Sequence, residues 1–243
     1  MSALSLARLS STRGQRNALD YVRLTMPQRM VVSDEGRLVL WRDGNRLGKS
    51  YALAYELLHR CRGSHPYKTT HRPPIRALVI SVSLDQIIPL MEALWTLAPK
   101  DELCPKVSYD PGRGITGKPP RMVFTSGPGK GSVITFATYK QGSTRIAGGE
   151  YQFVGMDEPP PEAMFGEVLP RVLRCRGDIY ITMTPTPDMP AVGWLREKVE
   201  DDDSKWSAHN YGLKEENCWI EGNPAPFLAQ AEIDEYAKGL LSV

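Results

Sequence analysis

Apolar and polar residues follow two different periods along this chain, one typical of strands and the other of helices. Short apolar runs typical of buried strands lie at residues 38–41, 77–82, 151–156 and 178–182, and a last strand is expected at 206–213. Helical spacing of apolar residues occurs at residues 51–61, 87–97, 162–173, 194–199 and 228–241. Strands that alternate with helices predict an α/β fold, with a mainly parallel central sheet covered by helices on both faces.

One region departs from this alternation, because residues 107–138 are rich in glycine and proline. Within it, Arg121–Thr125 and Ser132–Phe136 show the alternation of strands, and residues 127–131 join them with three glycines. A short glycine-rich connection between two such runs predicts a β-hairpin. We therefore expect a hairpin insertion in the α/β domain.

Length and composition indicate one large α/β domain, or one domain plus an appendage. The chain has 243 residues, of which 24% are charged and 41% hydrophobic, and this is enough to bury a sizeable core. We expect a basic segment over residues 1–30, a core over 31–213 and a linker with a helix over 214–243. No apolar run approaches the ~20 residues of a membrane span, and residues 1–16 lack the apolar centre of a secretory signal. A cytoplasmic protein without membrane contact is predicted.

Charge is segregated along the chain although the net charge is only +2. Residues 1–30 hold five arginines against one acid, and residues 103–149 hold seven basic side chains against one acid. A third basic stretch runs from Arg60 to Arg76, whereas residues 197–221 carry eight acids. Such segregation favours a polyanionic partner for the basic stretches. Solvated loops whose charges cluster by chance are the open alternative.

Candidate chemistry begins directly after the first predicted strand. The residues there are Asp43, Gly44, Asn45, Arg46, Leu47, Gly48, Lys49 and Ser50. A strand, a loop ending in Gly-Lys-Ser and a helix form the context of a phosphate-binding loop, whose backbone N–H groups surround phosphate oxygens. Lys49 would reach the terminal phosphates of ATP, and the Ser50 hydroxyl would bind Mg²⁺. Asp43 replaces the first glycine of the strict signature, and it either tunes Arg46 or is tolerated by the turn.

A pair of carboxylates follows a later strand. Asp157 and Glu158 come directly after the run at 151–156, about a hundred residues beyond the loop. Asp157 would hold the same Mg²⁺, and Glu158 could polarise an attacking water. The alternative is two solvated acids at a strand end. The strand at 77–82 lies between the two motif strands in chain order, which is typical of nucleoside triphosphatases with a glutamate base.

Hydroxyl groups end a further strand. Thr182, Met183 and Thr184 follow an apolar run, at the carboxyl strand end where open α/β sheets place ligands. A hydroxyl at this place could respond to the γ-phosphate. The alternative is a polar strand end at which Pro185 stops strand pairing.

These three motifs, in this order, resemble the ATPase half of the large terminase subunit of tailed bacteriophages, over residues 20–240. The resemblance implies a P-loop NTPase fold of the additional-strand, catalytic-glutamate type. It also implies ATP hydrolysis that powers packaging of double-stranded viral DNA into a procapsid in the host cytoplasm. The implied partners are DNA, a portal protein, a small terminase subunit and further copies in a homo-oligomeric ring, with a monomer in isolation as the alternative.

The resemblance assigns roles to single residues. Lys49 and Ser50 match the phosphate-loop lysine and the magnesium hydroxyl, Asp157 matches the metal ligand and Glu158 the catalytic glutamate. The segment Thr182–Thr184 matches the motif that couples hydrolysis to DNA movement. Gln28 is expected to contact adenine, although a turn next to Pro27 explains it equally well.

Two arginines are candidates for neutralising charge on the γ-phosphate. Arg145 is expected to act on a neighbouring subunit of the ring, and Arg46 to act in cis as a phosphate sensor. The alternatives are a surface arginine at Arg145 and a loop-bracing salt bridge at Arg46.

Large terminases usually continue into a nuclease domain, so residues 214–243 are expected to lead toward one, with a naturally short chain as the alternative. Nuclease activity is not expected from this chain. Two other function classes stay open, namely a helicase-like ATPase that depends on nucleic acid, and a regulatory or scaffold module that binds ATP without turnover.

Overall fold

The structure is a computed structural model that describes residues 17–44, 46–141, 149–185, 193–201, 205–220 and 222–241. Its strands are β1 (Leu38–Arg42), β2 (Arg76–Ser81), β3 (Tyr109–Asp110), β4 (Gly114–Ile115), β5 (Arg121–Val123), β6 (Val133–Thr138), β7 (Phe153–Asp157), β8 (Asp178–Met183) and β9 (Trp206–His209). Its α-helices are α1 (Met26–Ser33), α2 (Lys49–Arg62), α3 (Leu84–Leu97), α4 (Glu162–Arg174), α5 (Gly193–Asp201) and α6 (Gln230–Leu241). Short 3₁₀ helices lie at Ala18–Tyr21, Lys100–Glu102 and Glu215–Cys218.

Seven of these strands form one sheet with the order β5-β6-β2-β7-β8-β1-β9. The neighbours pair in parallel, except for the antiparallel pair β5–β6. The α/β fold with a mainly parallel sheet is therefore confirmed. The expected hairpin is also present as β5–β6, but β6 pairs in parallel with β2 and belongs to the central sheet.

The strand order determines where the motifs meet. β8 lies between β1, which precedes the phosphate loop, and β7, which ends at Asp157. In the sheet, β8 therefore separates the two motif strands β1 and β7. In the chain, β2 lies between them, but in the sheet it lies on the other side of β7. Because these strands are parallel, their carboxyl ends meet at one edge of the sheet.

Two apolar cores cover the two faces of the sheet. Alternate residues of β2 show the division, since Ala77 and Val79 pack with α1, α2 and α3, whereas Leu78 and Ile80 pack with α4 and α5. Side chains of a strand point alternately to opposite faces, so each strand contributes to both cores. Among the described helices, none is both long and apolar enough to cross a membrane.

Helix α1 crosses residue 30, the boundary expected between the basic segment and the core. Thr25 accepts a hydrogen bond from the backbone of Gln28, and the Gln28 side chain accepts one from the backbone of Thr25. This reciprocal pair is a capping box, which a Thr-x-x-Gln sequence signals. Leu19 and Leu24 are also buried, so part of the segment at residues 1–30 packs into the core.

Candidate functional site

The phosphate loop leads from β1 into α2, and Gly48 is the N-cap residue directly before the first residue of that helix. Gly48 has a φ of 72°, in the left-handed region that favours glycine. A Cβ atom at this position would lie 2.3 Å from Nε2 of Gln28, so the loop has no room for a side chain there. Since glycine provides no side-chain cap, the first N–H groups of α2 can donate hydrogen bonds to a bound anion.

The Lys49 side chain folds back over the phosphate loop instead of extending into solvent. Its Nζ donates to the backbone oxygens of Asp43 at 2.7 Å and Gly44 at 2.8 Å. Burial lowers the pKa of Lys49, and the negative charges of Glu158, Asp43 and Asp157 oppose that effect. The ammonium group therefore lies among three carboxylates and holds the loop in a closed turn.

Asp43, the residue that breaks the strict signature, has a structural role. Its side chain is 1% exposed and accepts a hydrogen bond of 2.6 Å from the indole N–H of Trp41. The other carboxylate oxygen accepts the backbone N–H groups of Tyr211 at 2.8 Å and Gly212 at 2.6 Å. Asp43 thus ties the phosphate loop to the segment after β9. These bonds also explain why β9 ends at His209, four residues before the predicted strand end.

Asp157 ends β7 beside the end of β8. Oδ1 of Asp157 accepts a hydrogen bond of 2.9 Å from the Thr182 hydroxyl. Burial raises the pKa of Asp157, whereas the Thr182 bond and the charge of Lys49 lower it. The carboxylate is therefore oriented by β8 and attracted by the phosphate-loop lysine, an arrangement suited to a second cation.

Glu158 occupies a strained turn directly after Asp157. Its φ is 72°, a conformation that costs a residue with a side chain about 1–2 kcal/mol. Three contacts hold it there: its N–H donates to the Thr182 carbonyl at 3.0 Å, its carboxylate accepts the Thr184 N–H at 3.3 Å, and its carbonyl accepts the Tyr139 hydroxyl. Burial raises the pKa of Glu158, and the neighbouring charge of Asp157 adds to that effect, while Lys49 opposes it.

One cleft of about 350 Å³ brings the motifs together. It is lined by Arg46, Gly48, Lys49, Ser50, Tyr51, Gln86, Asp157, Glu158 and Thr184. The sequence motifs did not predict Tyr51 and Gln86 as residues of the site. Tyr51 follows the Gly-Lys-Ser ending directly, and Gln86 lies in the first turn of α3, after a strand that pairs with β7. A search of the helix starts after each parallel strand could have found both.

The remaining loop residues differ in their surroundings. Leu47 is fully buried, so it can meet a ligand only through its backbone, and Gly44 lies against Leu213. Arg46 has a φ of 72° and an exposed side chain that lines the cleft. Asn45 and Arg145 lie outside the described residues, so their expected roles stay predictions.

Gln28 is 6% exposed and supports the phosphate loop. Its amide oxygen accepts the N–H of Thr25 at 2.9 Å, and its amide nitrogen donates to the carbonyl of Gly48 at 3.2 Å. Both ends of the amide are thus engaged within the protein. The geometry gives Gln28 a bracing role between α1 and the loop, and the expected adenine contact stays a prediction.

The segment Thr182–Thr184 contacts all three parts of the site. Thr182 bonds to Asp157, and the Thr184 N–H donates to Glu158. Between them, the Met183 carbonyl accepts the backbone N–H of Asp43 at 3.2 Å. The end of β8 therefore connects the phosphate loop with both carboxylates.

The basic stretch from Arg60 to Arg76, whose charge favoured a polyanionic partner, does not form one exposed surface, although Arg72 and Arg76 are exposed. The fully buried Glu56 carboxylate contacts Arg60 at 2.6 Å and Lys68 at 2.9 Å. Arg60 also contacts Asp178 at 2.6 Å, and Arg62 contacts Glu102 at 2.8 Å. Burial by itself would raise the pKa of Glu56, but Arg60, His65 and Lys68 outweigh it and hold the pKa below its usual range. Three of the five basic side chains thus form internal ion pairs, a possibility that charge counting cannot reveal.

Comparisons with known proteins identify the fold. No protein-family model and no curated protein matches the chain. The large terminase ATPase domain of Thermus phage P74-26 is similar in structure, with a TM-score of 0.60 and 14% identity over 93% of this chain and 90% of that domain. The large terminase of bacteriophage HK97 is similar with a TM-score of 0.62 and 13% identity, over 91% of this chain and 48% of that one.

A large terminase from a thermophilic bacteriophage, solved in complex with ADP, has a TM-score of 0.57 and 13% identity. The matched region covers 88% of this chain and half of the length of that protein. The sequence identities are low, and the likeness is therefore one of fold. The likeness covers about nine tenths of this chain, and this chain has the fold of the ATPase domains of phage large terminases.

Proposed function

We propose that this chain hydrolyses ATP in the cleft between the phosphate loop and the end of β7. The observation that carries the proposal is the convergence of Lys49, Ser50, Asp157 and Glu158 on one cleft. These residues come from two motifs about a hundred positions apart. A lysine and a hydroxyl at a helix start, facing two carboxylates at a strand end, form the set that phosphoryl transfer from ATP requires.

Nucleotide binding would begin at the start of α2. The phosphates would accept the N–H groups after Gly48, and Lys49 would exchange the carbonyls of Asp43 and Gly44 for phosphate oxygens. Tyr51 and Gln86 lie in the same cleft and could contact the rest of the nucleotide. The solved ADP complex of a terminase with this fold supports a nucleotide as the ligand.

Ser50 and Asp157 would hold Mg²⁺ with the phosphates. Both line the cleft, and their hydroxyl and carboxylate oxygens are ligands that Mg²⁺ prefers. Thr182 holds the Asp157 carboxylate in one orientation through its hydroxyl. When bound, Mg²⁺ would neutralise charge on the phosphate oxygens.

Glu158 would orient the attacking water and accept its proton. Burial raises the pKa of its carboxyl group, and a carboxylate with a raised pKa is a better general base near neutral pH. The bond from the Thr184 N–H fixes the position of that carboxylate at the cleft. Arg46 is proposed as the phosphate sensor in cis, because it lines the same cleft.

Hydrolysis would be transmitted through β8. Its end bonds to Asp157, to Glu158 and to the backbone of Asp43, so a change at any of these reaches the strand. The proposed output is translocation of double-stranded DNA into a procapsid, with a portal protein, a small terminase subunit and further copies of the chain as partners. The fold shared with a terminase ATPase domain and with part of a second large terminase supports this output.

Steady-state phosphate release tests the hydrolysis step. We expect the wild-type chain to release phosphate from ATP, and Glu158→Gln to bind ATP equally well but release phosphate at least about 100-fold more slowly. Equal rates for both proteins would contradict the role of Glu158. ATP binding without turnover by the wild type would support a regulatory module. Turnover stimulated equally by single-stranded and double-stranded nucleic acid would favour a helicase-like ATPase.

Arg145 is proposed as the arginine that acts on a neighbouring subunit. The test mixes Glu158→Gln subunits with Arg145→Ala subunits, each inactive alone. Mixed rings contain interfaces where an intact glutamate meets an intact arginine, and activity should recover there. No recovery in assembled rings would contradict the role of Arg145.

A further inference from the structure

A second concave surface lies at the end of the sheet opposite the ATP cleft. It encloses about 550 Å³ and is lined by Arg76, Gly149, Glu150, Pro170, Arg171 and Arg174. Arg76 begins β2, and Glu150 precedes β7, whereas the ATP cleft lies where β7 ends. We name this surface the arginine cleft, after Arg76, Arg171 and Arg174.

The sequence brings these arginines together through two periodicities. In β2, Ala77 packs into the core beneath α2 and α3, so its neighbour Arg76 faces the side that α4 covers. In β5, Met122 packs into the same core as Ala77, so Arg121 shares the face of Arg76. The last turn of α4 adds Arg171 and Arg174 at a spacing of three residues, which places both on one side of the helix.

The positive charges of these arginines act together on the hydroxyl group of Tyr151. Burial raises the pKa of the Tyr151 hydroxyl, and the positive charges of Arg171, Arg121 and Arg76 oppose that effect. Arg121 therefore lies close enough to extend the positive field of the arginine cleft toward the edge strand.

The ion pairing in the cleft is weak. The lining residues carry three guanidinium groups and one carboxylate. Glu150 lies 3.6 Å from Arg174, and the two side chains are 51% and 75% exposed, so water competes strongly with this pair. Arg171 donates to the carbonyl of Glu167, which uses a fraction of its five N–H groups. These arginines differ from Arg60, whose guanidinium group is buried and contacts two carboxylates.

We propose that the arginine cleft binds the phosphodiester backbone of double-stranded DNA, an inference that rests on the proposed translocation function. Guanidinium groups donate paired hydrogen bonds to phosphate oxygens and remain charged at every physiological pH. Arg76, Arg121 and Arg174 are exposed and come from three separate elements, which suits successive phosphates of a chain better than one enclosed anion. Strand β7 then runs from the DNA contact to Asp157 and Glu158.

The test measures binding of the full chain to a fluorescein-labelled duplex of about 30 base pairs at several salt concentrations. Changing Arg76, Arg171 and Arg174 together to alanine should weaken binding about tenfold or more. It should also reduce the slope of log affinity against log salt by about 2 to 3. The matched control changes Arg196, Lys198 and Lys214 to alanine, which removes the same charge from exposed side chains of α5 and of the segment after β9, each of which already contacts a glutamate. This control should bind within about twofold of the wild type.

Glu150→Gln should change the affinity for DNA in the opposite direction. Its effect cannot be explained by loss of folding, because a destabilised chain would not bind DNA more tightly. Removing the one carboxylate of the lining should tighten DNA binding, because Arg174 no longer has a competing partner. Wild-type affinity and salt slope in the triple arginine variant would overturn the proposal, as would an equal loss in the control. Loss of inorganic phosphate binding with unchanged duplex binding would also overturn it. A wild-type chain that binds no duplex would contradict the translocation function itself.

Discussion

The Thr182 hydroxyl donates a hydrogen bond of 2.9 Å to Oδ1 of Asp157, and it thereby joins the end of β8 to the proposed Mg²⁺ ligand. The two residues are also direct partners in the pairing of β7 with β8. Because β8 also pairs with β1, the strand that leads into the phosphate loop, one residue connects both halves of the cleft. A change in the charge around Asp157 would therefore act first on Thr182.

Thr182→Val removes this hydroxyl while keeping the shape and the strand propensity. A hydrogen bond to a charged group contributes about 1.5–3 kcal/mol, so we expect turnover to fall about 10- to 100-fold, with ATP affinity changed much less. Steady-state kinetics with a separate nucleotide-binding assay would show this. Thr135→Val in β6 is the matched control, and its turnover should equal that of the wild type. Wild-type turnover in Thr182→Val would exclude the bond from the mechanism.

Asp43→Gly restores the glycine of the strict phosphate-loop signature, yet we expect it to destabilise the fold. The substitution leaves the N–H groups of Trp41, Tyr211 and Gly212 without their acceptor, and a buried donor without a partner costs about 1–3 kcal/mol. Urea denaturation measures the free energy of unfolding. Asp43→Asn keeps one acceptor oxygen and should lose less. If Asp43→Gly were as stable as the wild type, the carboxylate would not anchor the loop.

Glu158→Gln should have a pH-dependent effect on stability. Burial raises the pKa of Glu158 above its ordinary value of 4.5, so the carboxyl group favours folding at pH below 4.5 and loses this contribution as pH rises through the higher folded value. Glutamine carries no such cost, and the variant should be more stable than the wild type at neutral pH. The gain should shrink as the solution is acidified toward about pH 4. A gain that does not change with pH would contradict the buried carboxylate.

Glu56→Gln should act with the opposite sign. Arg60, His65 and Lys68 hold the pKa of Glu56 below its ordinary value of 4.5, so its charge stabilises the fold above that pH, and the contribution is lost as pH falls through the lower folded value. Breaking a buried ion pair costs about 3–5 kcal/mol at neutral pH. Denaturation of Glu56→Gln at neutral and acidic pH measures it, with the exposed Glu92→Gln as the control. Equal stability of the two variants would show that the buried cluster contributes nothing net.

The part of the site that could be predicted consists of residues whose positions follow from strand direction. Asp157 and Thr182 lie at the carboxyl ends of parallel strands, and Lys49 follows the loop after a third such strand, so their meeting at one edge follows from the alternation of strands and helices. Helix α4 was likewise predictable to within one residue, because its apolar period is regular and Pro161 precedes its start.

The contacts that could not be predicted join residues far apart in the chain. Arg60 meets Asp178 across 118 positions, and Asp43 meets Tyr211 across 168. Charge patterning treats Arg60 as a surface residue, because only the folded structure places a buried carboxylate next to it. The sheet order also depends on such long-range pairing, and for this reason β8 was not recognised as the strand between the two motifs.

Analysis of ATP bound to the enzyme during a single turnover tests the central claim most directly. Wild-type protein and Glu158→Gln would be mixed with a substoichiometric amount of radiolabelled ATP, quenched in acid over time and analysed for ADP and phosphate. We expect the wild type to convert the bound ATP, and Glu158→Gln to bind the same amount and retain it unhydrolysed. Conversion by Glu158→Gln at the wild-type rate would contradict the account, because the cleft would then hydrolyse ATP without its proposed base.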